Sequence, residues 1–147
     1  MLILLLALGL VASAQAVPVL EYYFAGATVF PFDAAPNVGL TIGYARPDWI
    51  ISLSMLNPGY VDGVYGVTGM GLLGATEKSY LGVGATLFAR LNNATIYQFS
   101  WSATLAYAWR FSGLDLIVIG FIPVWVPPNA PLFGMRVGFG LTMKLPF

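Results

Sequence analysis

Twelve charged side chains hold most of the chemistry open to this chain. They are six Lys or Arg and six Asp or Glu in 147 residues, with no histidine and no cysteine. Without imidazole or thiol there is no ready general base at neutral pH, no thiolate nucleophile, no disulfide and almost no zinc or haem ligand set. Gly69-Met70-Gly71-Leu72-Leu73-Gly74 has the G-x-G-x-x-G spacing that can cradle a pyrophosphate. That use needs a helix after the glycines and an acid about 20 residues on. Lys78 and a strand-like segment follow instead, so the glycines read as relief of crowding or as bends. Lys78-Ser79 sets an amine beside a hydroxyl, but adjacent residues of a strand or turn do not normally face each other. Asn93-Ala94-Thr95 matches a glycosylation sequon and reads as a turn. The remaining candidates are Glu21, Arg90, Arg110, Asp115, Arg136 and Lys144, charges set in or beside apolar runs. They could line a solute path or pair with one another. No catalytic residue, cofactor or metal is expected, and the chain reads as non-enzymatic.

The surroundings of those charges say which elements must position them. Hydrophobic residues make up 59% of the chain, aromatic residues 15% and charged residues 8%, against about 25% charged in a soluble domain. Twelve charges cannot cover a soluble globule of this size, and the apolar excess excludes disorder. With a net charge of zero there is no basic patch for nucleic acid. Leu2 to Val11 is a short apolar run followed by the small-x-small sites Ala12-Ser13-Ala14 and Ala14-Gln15-Ala16. Residues 1–16 therefore read as a signal peptide and 17–147 as the mature domain.

A transmembrane helix needs about 20 mostly apolar residues. The best mature run, Leu114 to Val126, is interrupted by Asp115, Gly120 and Pro123. A polytopic helical protein is the lesser reading. A transmembrane strand needs only about 9–11 residues with alternating faces. From 133 to 147 every odd position is apolar (Phe133, Met135, Val137, Phe139, Leu141, Met143, Leu145, Phe147), and no even position is a large apolar residue. Val38, Leu40, Ile42 and Tyr44 oppose Gly39, Thr41, Gly43 and Ala45 in the same way. Eight segments follow, near 19–29, 37–46, 49–56, 62–74, 79–91, 94–111, 114–126 and 132–147, separated by proline, glycine and asparagine turns. The expected fold is all-β, a transmembrane antiparallel up-and-down barrel of about eight strands.

Charge placement agrees with a barrel. Arg90, Arg110, Arg136 and Lys144 lie on strand faces opposite the apolar set, and a charge facing mid-bilayer lipid costs about 2–4 kcal/mol. A two-residue turn at Ser112-Gly113 sets Arg110 opposite Asp115, and Tyr44 and Trp49 meet on the outer face across the Arg46-Pro47 turn. Glu21 and Lys144 are a candidate closure pair between the first and last strands. Short turns at Arg46-Pro47-Asp48 and Ser112-Gly113 are expected in the periplasm, and the proline-rich segments 30–36 and 127–131 outside. Aromatic belts are expected from Tyr22, Tyr44, Trp49, Tyr107, Trp109 and Phe147 at one interface and Phe30, Tyr60, Tyr65, Tyr97, Trp125 and Phe133 at the other.

In this pattern the chain resembles the small eight-stranded outer-membrane proteins of bacteria. Gly140-Leu141-Thr142-Met143-Lys144-Leu145 resembles the glycine-x-x-hydrophobic-x-hydrophobic core of the outer-membrane assembly signal, with Gly140, Met143 and Leu145 at its key positions. Phe147 resembles its terminal aromatic, and Gly138 stands where the signal usually has a polar residue. The resemblance implies outer-membrane lipid as surroundings, the barrel assembly machinery as a partner during biogenesis, and possible contact with other outer-membrane proteins. Enzymes of that family which trim or transfer acyl chains typically pair histidine with serine, and this chain has no histidine. The expected function is a structural envelope component or a subunit of a larger outer-membrane assembly. The alternative is a small channel for ions or apolar solutes, motivated by the inward glycines Gly39, Gly43, Gly82, Gly84, Gly138 and Gly140.

Overall fold

The computed structural model describes residues 21–32, 37–56, 62–92, 95–126, 128 and 135–145. Residues 1–16, read above as a signal peptide, and Asp33, Tyr60, Phe133 and Phe147 lie outside the described residues. The strands are β1 (Tyr22–Phe30), β2 (Asn37–Ala45), β3 (Trp49–Leu56), β4 (Asp62–Leu73), β5 (Ser79–Asn92), β6 (Thr95–Arg110), β7 (Leu114–Trp125) and β8 (Arg136–Leu145). Each pairs antiparallel with the next, and β8 returns to β1, closing the barrel.

Among the described residues three tight turns lie at one end, here the turn end. Arg46 N–H donates to Trp49 O at 2.8 Å around Pro47-Asp48. Phe111 N–H donates to Leu114 O at 2.7 Å around Ser112-Gly113, which puts Arg110 in register with Asp115. Between β4 and β5, Gly74 takes a left-handed φ of 58°, a conformation glycine adopts at no steric cost. The Thr76 hydroxyl then accepts the N–H groups of Lys78 and Ser79 at 3.2 and 3.1 Å. The fingerprint-like glycines therefore lie on a strand and its turn, and a second strand follows them. The opposite, loop end is where β1, β3, β5 and β7 finish and β2, β4, β6 and β8 begin. In β7, Pro123 cannot donate to the ladder, and the register with β6 slips between Trp101 and Ser102.

The two wall faces invert the arrangement of a soluble protein. Leu40, Ile42, Leu53, Leu87, Phe99, Leu105, Phe139, Leu141 and Met143 point outward at 43–59% exposure. Thr68, Thr86, Ser100, Ser102 and Thr104 point inward at 2% or less. Strand alternation makes both statements at once, since successive side chains leave opposite faces. Strand lengths are uneven: β1 to β3 have 9, 9 and 8 residues, β5 and β6 have 14 and 16.

Candidate functional site

Buried polar groups converge in the barrel interior, which is built in three layers. At the loop end Phe30, Leu56, Val64, Phe88 and Phe121 form a buried apolar cluster. The Phe121 ring lies 5.1 Å from Phe88 and 6.0 Å from Phe30, centre to centre. At the turn end Phe24, Ala45, Ile50, Met70, Tyr80, Ala106 and Ala108 form a second one. Between them runs a belt of hydroxyls. Thr86 hydrogen-bonds Thr68 at 2.8 Å and Thr104 at 2.7 Å, and Thr41 meets Ser54 at 2.9 Å. A hydroxyl buried without a partner is costly, so mutual pairing around the belt is the low-energy arrangement. The cavity here measures about 50 Å³, room for a few waters at most.

The inward glycines do not leave an open lumen in these layers. A Cβ built at Gly39, Gly43, Gly82, Gly84, Gly138 or Gly140 would meet a neighbouring atom within 3.2 Å. At Gly138 that neighbour is the Phe30 ring together with Thr28, and at Gly43 it is the Phe24 ring. The space at these positions is taken up from the adjacent strands, by Leu56 at Gly39, Met70 at Gly82, Thr28 at Gly140 and the Gly69 carbonyl at Gly84.

A charge cluster closes the turn end. Asp115 is 2% exposed and Arg110 8%. Tyr22 Oη donates to Asp115 Oδ2 at 3.0 Å, and Lys144 Nζ lies 3.7 Å from Asp115 Oδ1. Although Arg110 and Asp115 are in register, the carboxylate's ion pair is with Lys144. The Arg110 guanidinium instead lies over the Tyr80 ring at 4.7 Å and donates from Nη1 to Thr76 O at 3.2 Å. Lys144 Nζ also donates to Phe111 O at 3.2 Å and sits 5.1 Å from the centre of the Tyr22 ring. One carboxylate thus ties β1, β7 and β8 together, while Arg110 ties the β4–β5 turn to β6. The cluster offers Coulomb attraction and cation–π contact.

Glu21 does not join this cluster, and the Glu21–Lys144 closure pair does not form. Glu21 precedes β1 and lies on the outer side, 51% exposed, with its carboxylate 3.1 Å from Arg46 Nη2 and accepting from Tyr44 Oη at 2.5 Å. In the ladder Lys144 stands opposite Phe24. The cause is the facing of β1: Phe24 and Phe30 turn inward, so the odd positions Glu21 and Tyr23 turn outward. The same inversion moves Tyr22 out of the aromatic belt, where Tyr23 takes its place, and buries Phe30 in the loop-end core. Arg90 and Arg136 lie at the loop end, Arg90 in register with Val64 and Gln98, and Arg136 5.9 Å from the centre of the Phe30 ring. The interior charges therefore split between two ends. Tyr22 and Tyr80 belong to the turn-end cluster but escape sequence reading, because an aromatic residue in a strand signals core or belt before it signals a polar partner. Of the assembly-signal positions, Gly140 packs against Thr28, Met143 and Leu145 belong to the outward set, and Phe147 is not among the described residues.

No protein-family profile and no curated protein matches the sequence. A solved structure does: the N-terminal β-barrel domain of Pseudomonas aeruginosa OprF, with a TM-score of 0.53. The alignment covers 85% of this chain and 96% of that domain at 14% identity. The architecture is that of a small closed eight-stranded antiparallel β-barrel, similar to that domain. At this identity the likeness is one of fold.

Proposed function

We propose that this chain is a non-enzymatic outer-membrane barrel, exported with residues 1–16 as its signal peptide, which serves as a structural component of the envelope or as a subunit of a larger assembly there. The observation that carries the reading is the filled interior. Two apolar layers, a self-paired hydroxyl belt and a cavity of about 50 Å³ occupy the space a solute path would need. The apolar outer wall supports lipid as its surroundings, because large aliphatic and aromatic side chains stand on that face while hydroxyls are buried. The alternative, a small channel, is decided by conductance. The refolded chain in planar bilayers is expected to show no steady current above that of the protein-free bilayer. A large, steady single-channel conductance would overturn the structural reading in favour of the channel. Amino-terminal sequencing of the mature protein is expected to begin after Ala14 or Ala16, and recovery of intact Met1 in the membrane fraction would remove the export reading.

A further inference from the structure

The outer wall near the turn end carries a groove of about 470 Å³, running over β8, β1, β2 and β3. It is lined chiefly by Tyr23, Ile42, Gly43, Ile51, Leu53 and Leu145. Its walls are almost wholly apolar. Tyr23 and Tyr44 face each other across β1 and β2 with ring centres 5.0 Å apart. Two residues further on, just past the ends of these two strands and on the same outer side, stand Glu21 and Arg46, a half-exposed ion pair at 3.1 Å. Two residues of strand span about 7 Å, so one carboxylate and one guanidinium sit just beyond the apolar groove, where a bilayer passes from acyl chain to headgroup. Tyr44 Oη donates to the carboxylate and the Arg46 guanidinium lies 5.9 Å from the centre of the Trp49 ring, which fixes both charges beside the groove mouth.

From this placement we infer that the groove and its rim hold one phospholipid with a zwitterionic phosphoethanolamine headgroup. An acyl chain lies in the groove, the ammonium pairs with Glu21, and the phosphate pairs with Arg46. Charge complementarity selects this headgroup. An anionic glycerol headgroup would satisfy Arg46 but place its phosphate against the Glu21 carboxylate. The neutral pair favours a ligand that carries both charges, exchanging one intramolecular ion pair for two intermolecular ones. The inference rests on the membrane reading proposed above and adds to it a preference among lipids.

The test uses fluorescence of Trp49, next to Arg46. Of the chain's four tryptophans, Trp101, Trp109 and Trp125 are replaced by phenylalanine, and the protein is refolded into equimolar vesicles of phosphatidylethanolamine and phosphatidylglycerol. Bromine is carried on the acyl chains of one lipid or of the other. Brominated phosphatidylethanolamine is expected to quench Trp49 with about threefold higher apparent affinity, the size expected of exposed ion pairs. In the same background, Glu21→Gln with Arg46→Gln is expected to bring the ratio to one while heat-modifiable gel mobility shows the barrel still formed. Equal quenching by both lipids in the parent protein, preference for phosphatidylglycerol, or a preference that survives the double substitution would each overturn the site. A chain that fails to insert is quenched by neither lipid, which removes the membrane reading and the site together.

Discussion

The two ends of the barrel interior solve one packing problem by different means. The loop end is filled by rings: Phe121 has Phe30 and Phe88 within 6.0 Å, centre to centre, and Gly39, Gly66 and Gly138 give them room. The turn end lines its wall with Ala45, Ala106 and Ala108 and fills the space with Tyr22, Tyr80 and the Arg110–Asp115–Lys144 charges. Rings need only volume. Charges also need partners, so the turn end couples four separate stretches of chain while the loop end couples side chains one pair at a time. The contrast shows that a narrow barrel can be occluded with or without electrostatics, and that only the electrostatic end makes its parts interdependent.

The largest effects should come from removing the centre of each end. Asp115→Ala leaves Lys144 and the Tyr22 hydroxyl without their carboxylate, and breaking a buried pair in this way costs about 3–5 kcal/mol. Phe121→Ala costs a similar amount, about 3–5 kcal/mol, through the cavity it leaves. The difference lies in rescue. Adding Lys144→Met to Asp115→Ala is expected to recover part of the loss, because removing both partners is cheaper than removing one. No single second substitution refills the space left by Phe121. Denaturant unfolding in vesicles measures all of these, and strict additivity of Asp115→Ala with Lys144→Met would break the distinction between the ends.

A smaller effect sharpens the role of the wall that both ends share. Leu141 faces outward and Thr142 inward. Leu141→Arg is expected to cost about 2–4 kcal/mol in a bilayer and much less in a short-chain detergent micelle, where the guanidinium reaches water. Thr142→Arg must enter a packed interior and is expected to be costly in both, so the two differ in their dependence on lipid. The same loss for Leu141→Arg in micelle and bilayer would contradict its facing. Smaller again is the difference between two glycines. Gly138→Ala presses on the Phe30 ring and should cost about 1–3 kcal/mol as overpacking, whereas an added Cβ at Gly69 meets nothing within 4 Å. Gly69→Ala is expected to be neutral or slightly stabilising by thermal unfolding.

Strand-level organisation was legible where the two faces differ in chemistry. In β2, β5, β6 and β8 hydroxyls and glycines alternate with large apolar residues, so facing and approximate limits follow from the sequence and agree with the ladder. The Ser112-Gly113 turn likewise sets the Arg110–Asp115 register, and Tyr44 and Trp49 do meet, with ring centres 5.7 Å apart. Alternation fails in β1, where Tyr22-Tyr23-Phe24 puts aromatic residues on both faces. An apolar side chain marks the lipid face only if the interior is polar, and here the interior takes Phe24 and Phe30. The inverted facing of Glu21 follows from that ambiguity. The Lys144–Asp115 contact escapes turn arithmetic for another reason. It is diagonal: the ladder pairs Asp115 with Thr142, and a long lysine side chain covers the offset.

The return of β8 to β1 also governs how the chain can come into being. Seven of the eight ladders join strands adjacent in sequence, but the last joins Tyr23 to Leu145 across nearly the whole chain. Adjacent hairpins close short loops at low entropic cost, whereas this ladder must wait for the rest to be in place. Until it forms, β1 and β8 each present a bare row of N–H and C=O groups, which lipid cannot solvate and which another chain could pair with. Seven formed hairpins therefore do not make a barrel nearly finished. They make an open sheet with two adhesive edges, and the final ladder converts the most aggregation-prone state of the molecule into the one with no edge at all.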